Sequence, residues 1–183
     1  MTSQPNAINT FLKCTFLTAF SFISFLVTGQ ISHGGKPLPL QAGVDARAIV
    51  PASDLYVEMP PFDKAAALWR SQQEQSQFKS LEFAHKFFVH LRPDNAGVTF
   101  TTGGMKVWRV GIRSKGAYSI NILFSKFRLP AGAKLFVYNS DQSETLGSFT
   151  HENNTGLNLL PLQPIGGDEL IVEYQEPLNA DFR

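Results

Sequence analysis

Four histidines, His33, His85, His90 and His151, are the residues of this chain best suited to hold a metal or move a proton. Their spacing does not group them. His33 lies in a stretch rich in glycine and proline, where a solvated loop residue is the simple reading. His85 and His90 are five residues apart in an alternating segment, so on a strand they point to opposite faces and cannot chelate one ion. His151 adjoins Glu152, and neighbouring strand residues also diverge. The single cysteine, Cys14, removes any Cys-based zinc site and any internal disulfide framework. No metal and no cofactor is expected.

Nucleophilic chemistry is equally unsupported. A nucleophile elbow reads G-x-S-x-G, which the chain lacks. Gly166-Gly167-Asp168 is not followed by Ser-Gly, so it does not match the loop that presents a trypsin-like serine. Ser114 beside Lys115 sits in a turn and is too little for a Ser–Lys dyad. Asp168, Glu169, Glu173 and Glu176 lie in a turn and along a final strand, where a solvated acidic rim is expected. No glycine-rich phosphate loop precedes a helix. Asn153-Asn154-Thr155 matches the N-glycosylation pattern, which is frequent by chance. The catalytic set is therefore expected to be empty, and the chain is not expected to be an enzyme. The aromatic residues are ambiguous. Phe87 and Phe124 alternate like core residues, while Trp108, Tyr118 and Tyr138 could face solvent and stack on a sugar.

The elements that position these residues follow from composition and pattern. With 183 residues, 16 cations against 15 anions, 43% hydrophobic and 17% charged residues, the chain is too apolar for disorder. It is also too balanced in charge for nucleic-acid binding. Residues 14–28 read CTFLTAFSFISFLVT without a charge. This is the length of a signal-peptide core and is short of the roughly 20 residues that span a bilayer. A signal peptide over residues 1–29, cut between Gly29 and Gln30, is expected. It implies export to the periplasm or beyond, with no stable membrane insertion after the cut. Removing it leaves 183 − 29 = 154 residues, with 15 cations, 15 anions and no cysteine.

Residues 30–62 read as an extended leader broken by Gly34-Gly35, Pro37, Pro39, Gly43, Pro51 and Pro60-Pro61. A short helix is expected over residues 63–80, capped by Asp63, with Phe62, Ala65, Ala66 and Trp69 forming an apolar stripe that packs on a sheet. From Phe83 the period changes to two, and residues 81–177 read as one β domain followed by a tail over residues 178–183. Strands are expected at residues 83–91, 98–102, 107–112, 118–124, 134–138, 148–151, 157–162 and 170–174. Turn chemistry every 10–15 residues predicts an all-β, antiparallel sandwich or jelly roll, without βαβ crossovers.

Three stretches carry a resemblance. Residues 107–139 read VWRVGIRSKGAYSINILFSKFRLPAGAKLFVYN, residues 147–154 read GSFTHENN, and residues 164–177 read PIGGDELIVEYQEP. Together they resemble the N-terminal, non-catalytic region of secreted bacterial trypsin-like serine peptidases of the lysyl endopeptidase type. QISHGGKPLPL, directly after the expected cut, looks like the leader of that group. The resemblance implies a prodomain that assists folding of a trypsin-like peptidase domain or holds it inactive. In such proteins the catalytic domain follows the Glu-Tyr-x-Glu-Pro segment, so the chain is expected to stop short of it. The alternative expectation is a carbohydrate- or surface-binding jelly roll.

Overall fold

The computed structural model describes residues 32–38, 55–75 and 84–180. The expected signal segment with Gly29 and Gln30, the leader between Leu38 and Leu55, and the last three residues lie outside the described residues. The protein is mainly β, with one α-helix among the described residues. In chain order the elements are β1 (Tyr56–Glu58), α1 (Lys64–Gln75), β2 (Val98–Thr102), β3 (Met105–Arg113), β4 (Ser119–Ile120), β5 (Leu123–Phe124) and β6 (Lys134–Asn139). Then come β7 (Thr145–Phe149), a 3₁₀ turn (His151–Asn153), β8 (Leu160–Pro161), β9 (Ile165–Gly166) and β10 (Glu169–Pro177).

A six-stranded sheet organises the molecule. β10 pairs with β3 along nine residues and with β6 on its other side, and β7 follows β6. One edge of β3 is thus taken by β10. The opposite edge must hold both β2, at residues 105–109, and β1, at residues 111–113. β2 and β3 are joined by Gly103-Gly104, both at positive φ, the backbone that a two-residue hairpin turn demands. β1 runs parallel to β3, which departs from the expected purely antiparallel order. The chain from β1 to β3 includes α1 and is long enough for the crossover that a parallel pair needs. Gly111 admits this pairing, because a Cβ there would meet the Tyr56 ring at 2.5 Å.

Alternation decides the two faces of the sheet. Val110 and Ile112 of β3, Leu170 and Val172 of β10, and Leu135 and Val137 of β6 share one face and one buried cluster. The two short ladders, β4 with β9 and β5 with β8, add Ile165 and Leu160 to that cluster, joined by Phe127, Leu129 and Leu162. The expected strands at residues 118–124 and 157–162 are thus cut to two-residue pieces. β7 starts earlier than expected, at Thr145, and His151 belongs to the 3₁₀ turn.

Two other expectations change. The alternating segment 83–91 joins no ladder over its described residues 84–91, and Phe88 is 94% exposed. Alternation marks an amphipathic segment and does not by itself supply a neighbouring strand to pair with. His85 instead stacks on Phe62 and meets Phe87 edge-on. The helix is capped as expected, with the Ala66 amide donating to Asp63 Oδ1 at 3.0 Å. Of its expected stripe, Trp69 and Ala65 are exposed and Phe62 and Ala66 are half-buried, while Ser71 is the buried residue among the described positions of the helix.

Candidate functional site

The opposite face of the sheet carries charge into the interior. Glu173 stands at the middle of β10, across from Arg109 on β3 and Phe136 on β6. Gln175 is two residues along the same face, and Tyr138 lies diagonally across on β6. Glu173 is 0% exposed and Arg109 5%. The Arg109 Nε donates to Glu173 Oε2 at 2.8 Å, and the Tyr138 hydroxyl donates to the same oxygen at 2.9 Å. Glu173 Oε1 accepts from Gln175 Nε2 at 2.6 Å and from the backbone amide of Leu38 at 2.9 Å. Both carboxylate oxygens are therefore doubly occupied, which is what a buried charge needs. A carboxylate so occupied is a fixed acceptor within the fold. The expected solvated rim is corrected here, because β10 is the central strand and has neighbours on both sides.

Burial, and then the negative charge of Glu173, hold the Tyr138 phenol well above its ordinary range, so it remains a donor. The Arg109 guanidinium also lies over the Phe100 ring at 5.2 Å, but its Nη2 is buried without a hydrogen-bond partner.

The leader closes over this face. Pro37 and Leu38 are buried. The His33 amide donates to the Ser148 carbonyl at 2.9 Å, while the amide and hydroxyl of Ser148 both donate to the Gly34 carbonyl, at 3.1 and 2.7 Å. The Ser32 hydroxyl donates to the Gly147 carbonyl. His33 Nε2 lies 3.3 Å from Glu152. On the far side of the face, Arg113 joins Glu58 and Glu169 and covers the Tyr56 ring at 4.3 Å, which fastens β1 to β3 and β10.

The aromatic residues named as surface candidates are not brought together. Tyr138 is fully buried, which corrects the expectation that it could face solvent. Its ring sits in the β6 interior because its hydroxyl has Glu173 to satisfy it. Trp108 points to the opposite face, is half-buried, and donates from Nε1 to the Ala96 carbonyl at 2.8 Å. Tyr118 is 84% exposed with Lys64 above its ring.

The remaining polar candidates are structural as placed. The amide of Ser114 donates to the Asp168 carbonyl at 2.8 Å, and that of Gly116 to the Asp168 carboxylate at 3.0 Å, so the two turns hold each other. Glu169 pairs with Arg113, and Glu176 with Lys106 and the Tyr174 hydroxyl. Asn153 of the glycosylation pattern is buried, and its side-chain oxygen accepts from the Thr150 amide. Among the described residues no three of His, Cys, Asp and Glu converge as metal ligands, and no helix is long and apolar enough to cross a membrane.

The Arg109–Glu173 pair was missed by pattern reading because each residue looks like one more outward-facing polar position. The available signal was their context: charge inside VWRVG and ELIVEYQ, two apolar strand-like runs. No model of a known protein family matches the chain, and no solved structure matches its fold.

Proposed function

We propose that the chain is the non-catalytic N-terminal prodomain of a secreted bacterial serine endopeptidase of the lysyl endopeptidase type. In this reading it assists folding of a trypsin-like catalytic domain, or holds that domain inactive, by covering it. The reading includes a signal peptide cut between Gly29 and Gln30 and places the protein in the periplasm or outside the cell. It also takes the six-stranded sheet and the two short ladders as the layers of a β-sandwich of jelly-roll type. The chain itself carries no peptidase role here.

One observation carries this reading. The residues that bear the resemblance are the ones on which the architecture turns. Ser114-Lys115-Gly116-Ala117 closes on itself through the Ala117 amide and the Ser114 carbonyl, and is tied to Asp168 of the Gly166-Gly167-Asp168 turn. The amide of Ala133 closes Pro130-Ala131-Gly132 onto the Pro130 carbonyl at 3.2 Å. Glycine supplies the positive φ that the third residue of such a turn takes, seen at Gly132. A rigid domain built this way offers a partner a preformed surface at low ordering cost.

The test mixes the purified chain with a peptidase of the lysyl endopeptidase type, both active and denatured. Inhibition of peptide cleavage, or a higher yield of refolded activity, supports the proposal. An unchanged rate together with an unchanged refolding yield removes it.

A further inference from the structure

We propose that the charged face of the sheet is a peptide-binding site. Its ligand is a segment of the type Gly-Gly-Lys-Pro-Leu, and the chain's own residues 34–38 fill it as a plug. This does not rest on the peptidase reading. The site holds its occupant chiefly by backbone groups. The Gly34 carbonyl is fixed twice by Ser148, the His33 amide donates to the Ser148 carbonyl, and the Leu38 amide donates to the fully buried Glu173. Ser32 and His33 add side-chain contacts to Gly147 and Glu152.

Sequence selectivity comes from shape. Gly34 and Gly35 sit at φ +71° and +93°, a backbone that side-chain-bearing residues rarely adopt. The backbone angle carries this selectivity, since a first side-chain carbon at Gly35 would make only an ordinary contact with the Phe136 ring, at 3.8 Å. Pro37 is preset for an extended backbone and is fully buried, and Leu38 is buried beside it. The hydrogen-bonding groups that meet Gly34 and Leu38 belong to β7 and β10, and the Phe136 ring of β6 lies beside Gly35, so this part of the seat is built by the sheet. On the same face the Nη2 of Arg109, whose Nε reaches Glu173, is buried without a hydrogen-bond partner. A peptide carbonyl is the kind of acceptor such a donor takes.

A tethered ligand competes at an effective concentration of roughly millimolar, so the site has to be emptied before a free peptide can enter. The experiment uses the full chain with Leu38→Pro, which removes the amide that reaches Glu173 and alters no residue of the sheet. The probes are a dye-labelled peptide of residues 32–38 and the same peptide carrying Leu38→Pro, followed by fluorescence anisotropy. The Leu38→Pro chain is expected to bind the native peptide saturably, and the proline peptide at least tenfold more weakly. The wild-type chain is expected to bind the native peptide at least tenfold more weakly than the variant chain does. If the Leu38→Pro chain has lost its β-type circular dichroism, Gly35→Ala replaces it, again changing only the leader. A folded variant that binds neither peptide, or both equally, overturns the proposal, as does a wild-type chain that binds as tightly as the variant.

Discussion

The two faces of the central sheet are made by the same strands and solve burial in opposite ways. On one face Val110, Ile112, Leu135, Val137, Leu170 and Val172 meet an apolar layer and need only shape. On the other, Arg109, Tyr138, Glu173 and Gln175 are buried as one hydrogen-bonded set that includes a leader amide and leaves the Arg109 Nη2 unpaired. The apolar face tolerates local loss, because each side chain contributes its own share. The polar face is all-or-none, because a buried charge left without its partner costs more than any single contact contributes.

The largest effect should follow from breaking the ion pair. Glu173→Ala leaves the Arg109 guanidinium buried and uncompensated and should cost about 4 kcal/mol in urea unfolding. Replacing both partners, as Arg109→Met with Glu173→Leu, should recover most of that loss. A cost of Glu173→Ala below about 1 kcal/mol would show that the face is wetter than described and would remove the contrast between the two faces. On the apolar face, Leu170→Ala, at 1% exposure, should cost about 3 kcal/mol through lost burial and the cavity left behind. No second substitution on the charged face should restore it. If the Glu173 and Leu170 losses simply add in the double variant, the faces are energetically separate.

How much of this was legible in the sequence differs between the faces for the same reason. Period-two alternation found β2 and β6 nearly to the residue and the middles of β3 and β10, since Val107 to Ile112 and Leu170 to Tyr174 alternate into a true core, while the ends at Met105, Arg113, Glu169 and Pro177 lie beyond it. The same alternation misled at residues 83–91, because a pattern reports an amphipathic strand and not whether a sheet edge is free for it. β1 was hidden within the leader, since Tyr56-Val57-Glu58 is too short to show a period. The candidate site was not legible. Its chemistry depends on register, which brings Arg109 opposite Glu173 from sixty-four positions away in sequence, and on Leu38, whose contribution is a backbone amide that any residue but proline supplies.

A third variant reads the charged face through pH. Tyr138→Phe deletes one of the donors to Glu173 and should cost about 2 kcal/mol, the size of a hydrogen bond to a charged group. It should also change the alkaline limb of stability. The Tyr138 hydroxyl is held above its ordinary value by burial first and by Glu173 second. Below about pH 10 both folded and unfolded chains keep the proton. Above it the unfolded chain releases the proton and the folded chain does not, so stability falls as pH rises. Tyr174, on the apolar face, is raised by its own burial and then by Glu176, and should contribute a similar slope. Tyr138→Phe should therefore flatten only part of the decline measured by urea unfolding between pH 9 and 11. An unchanged slope would mean that Tyr138 is solvated in the folded protein.

The smallest effect isolates the leader from the sheet beneath it. Ser148→Ala removes the hydroxyl that donates to the Gly34 carbonyl at 2.7 Å and keeps the Ser148 amide that donates to the same oxygen. The cost should be about 1 kcal/mol, because one of two donors to a single acceptor is lost. Hydrogen exchange separates where that loss falls. The amides of His33 and Leu38 should exchange about five-fold faster, since their protection depends on the leader staying seated. The amides of β3 and β10 should keep their wild-type rates, since their ladder runs beside the apolar core and does not involve Ser148. Faster exchange throughout β10 would mean instead that the leader is an integral part of the sheet's cooperative unit, so that the charged face and the apolar face open together.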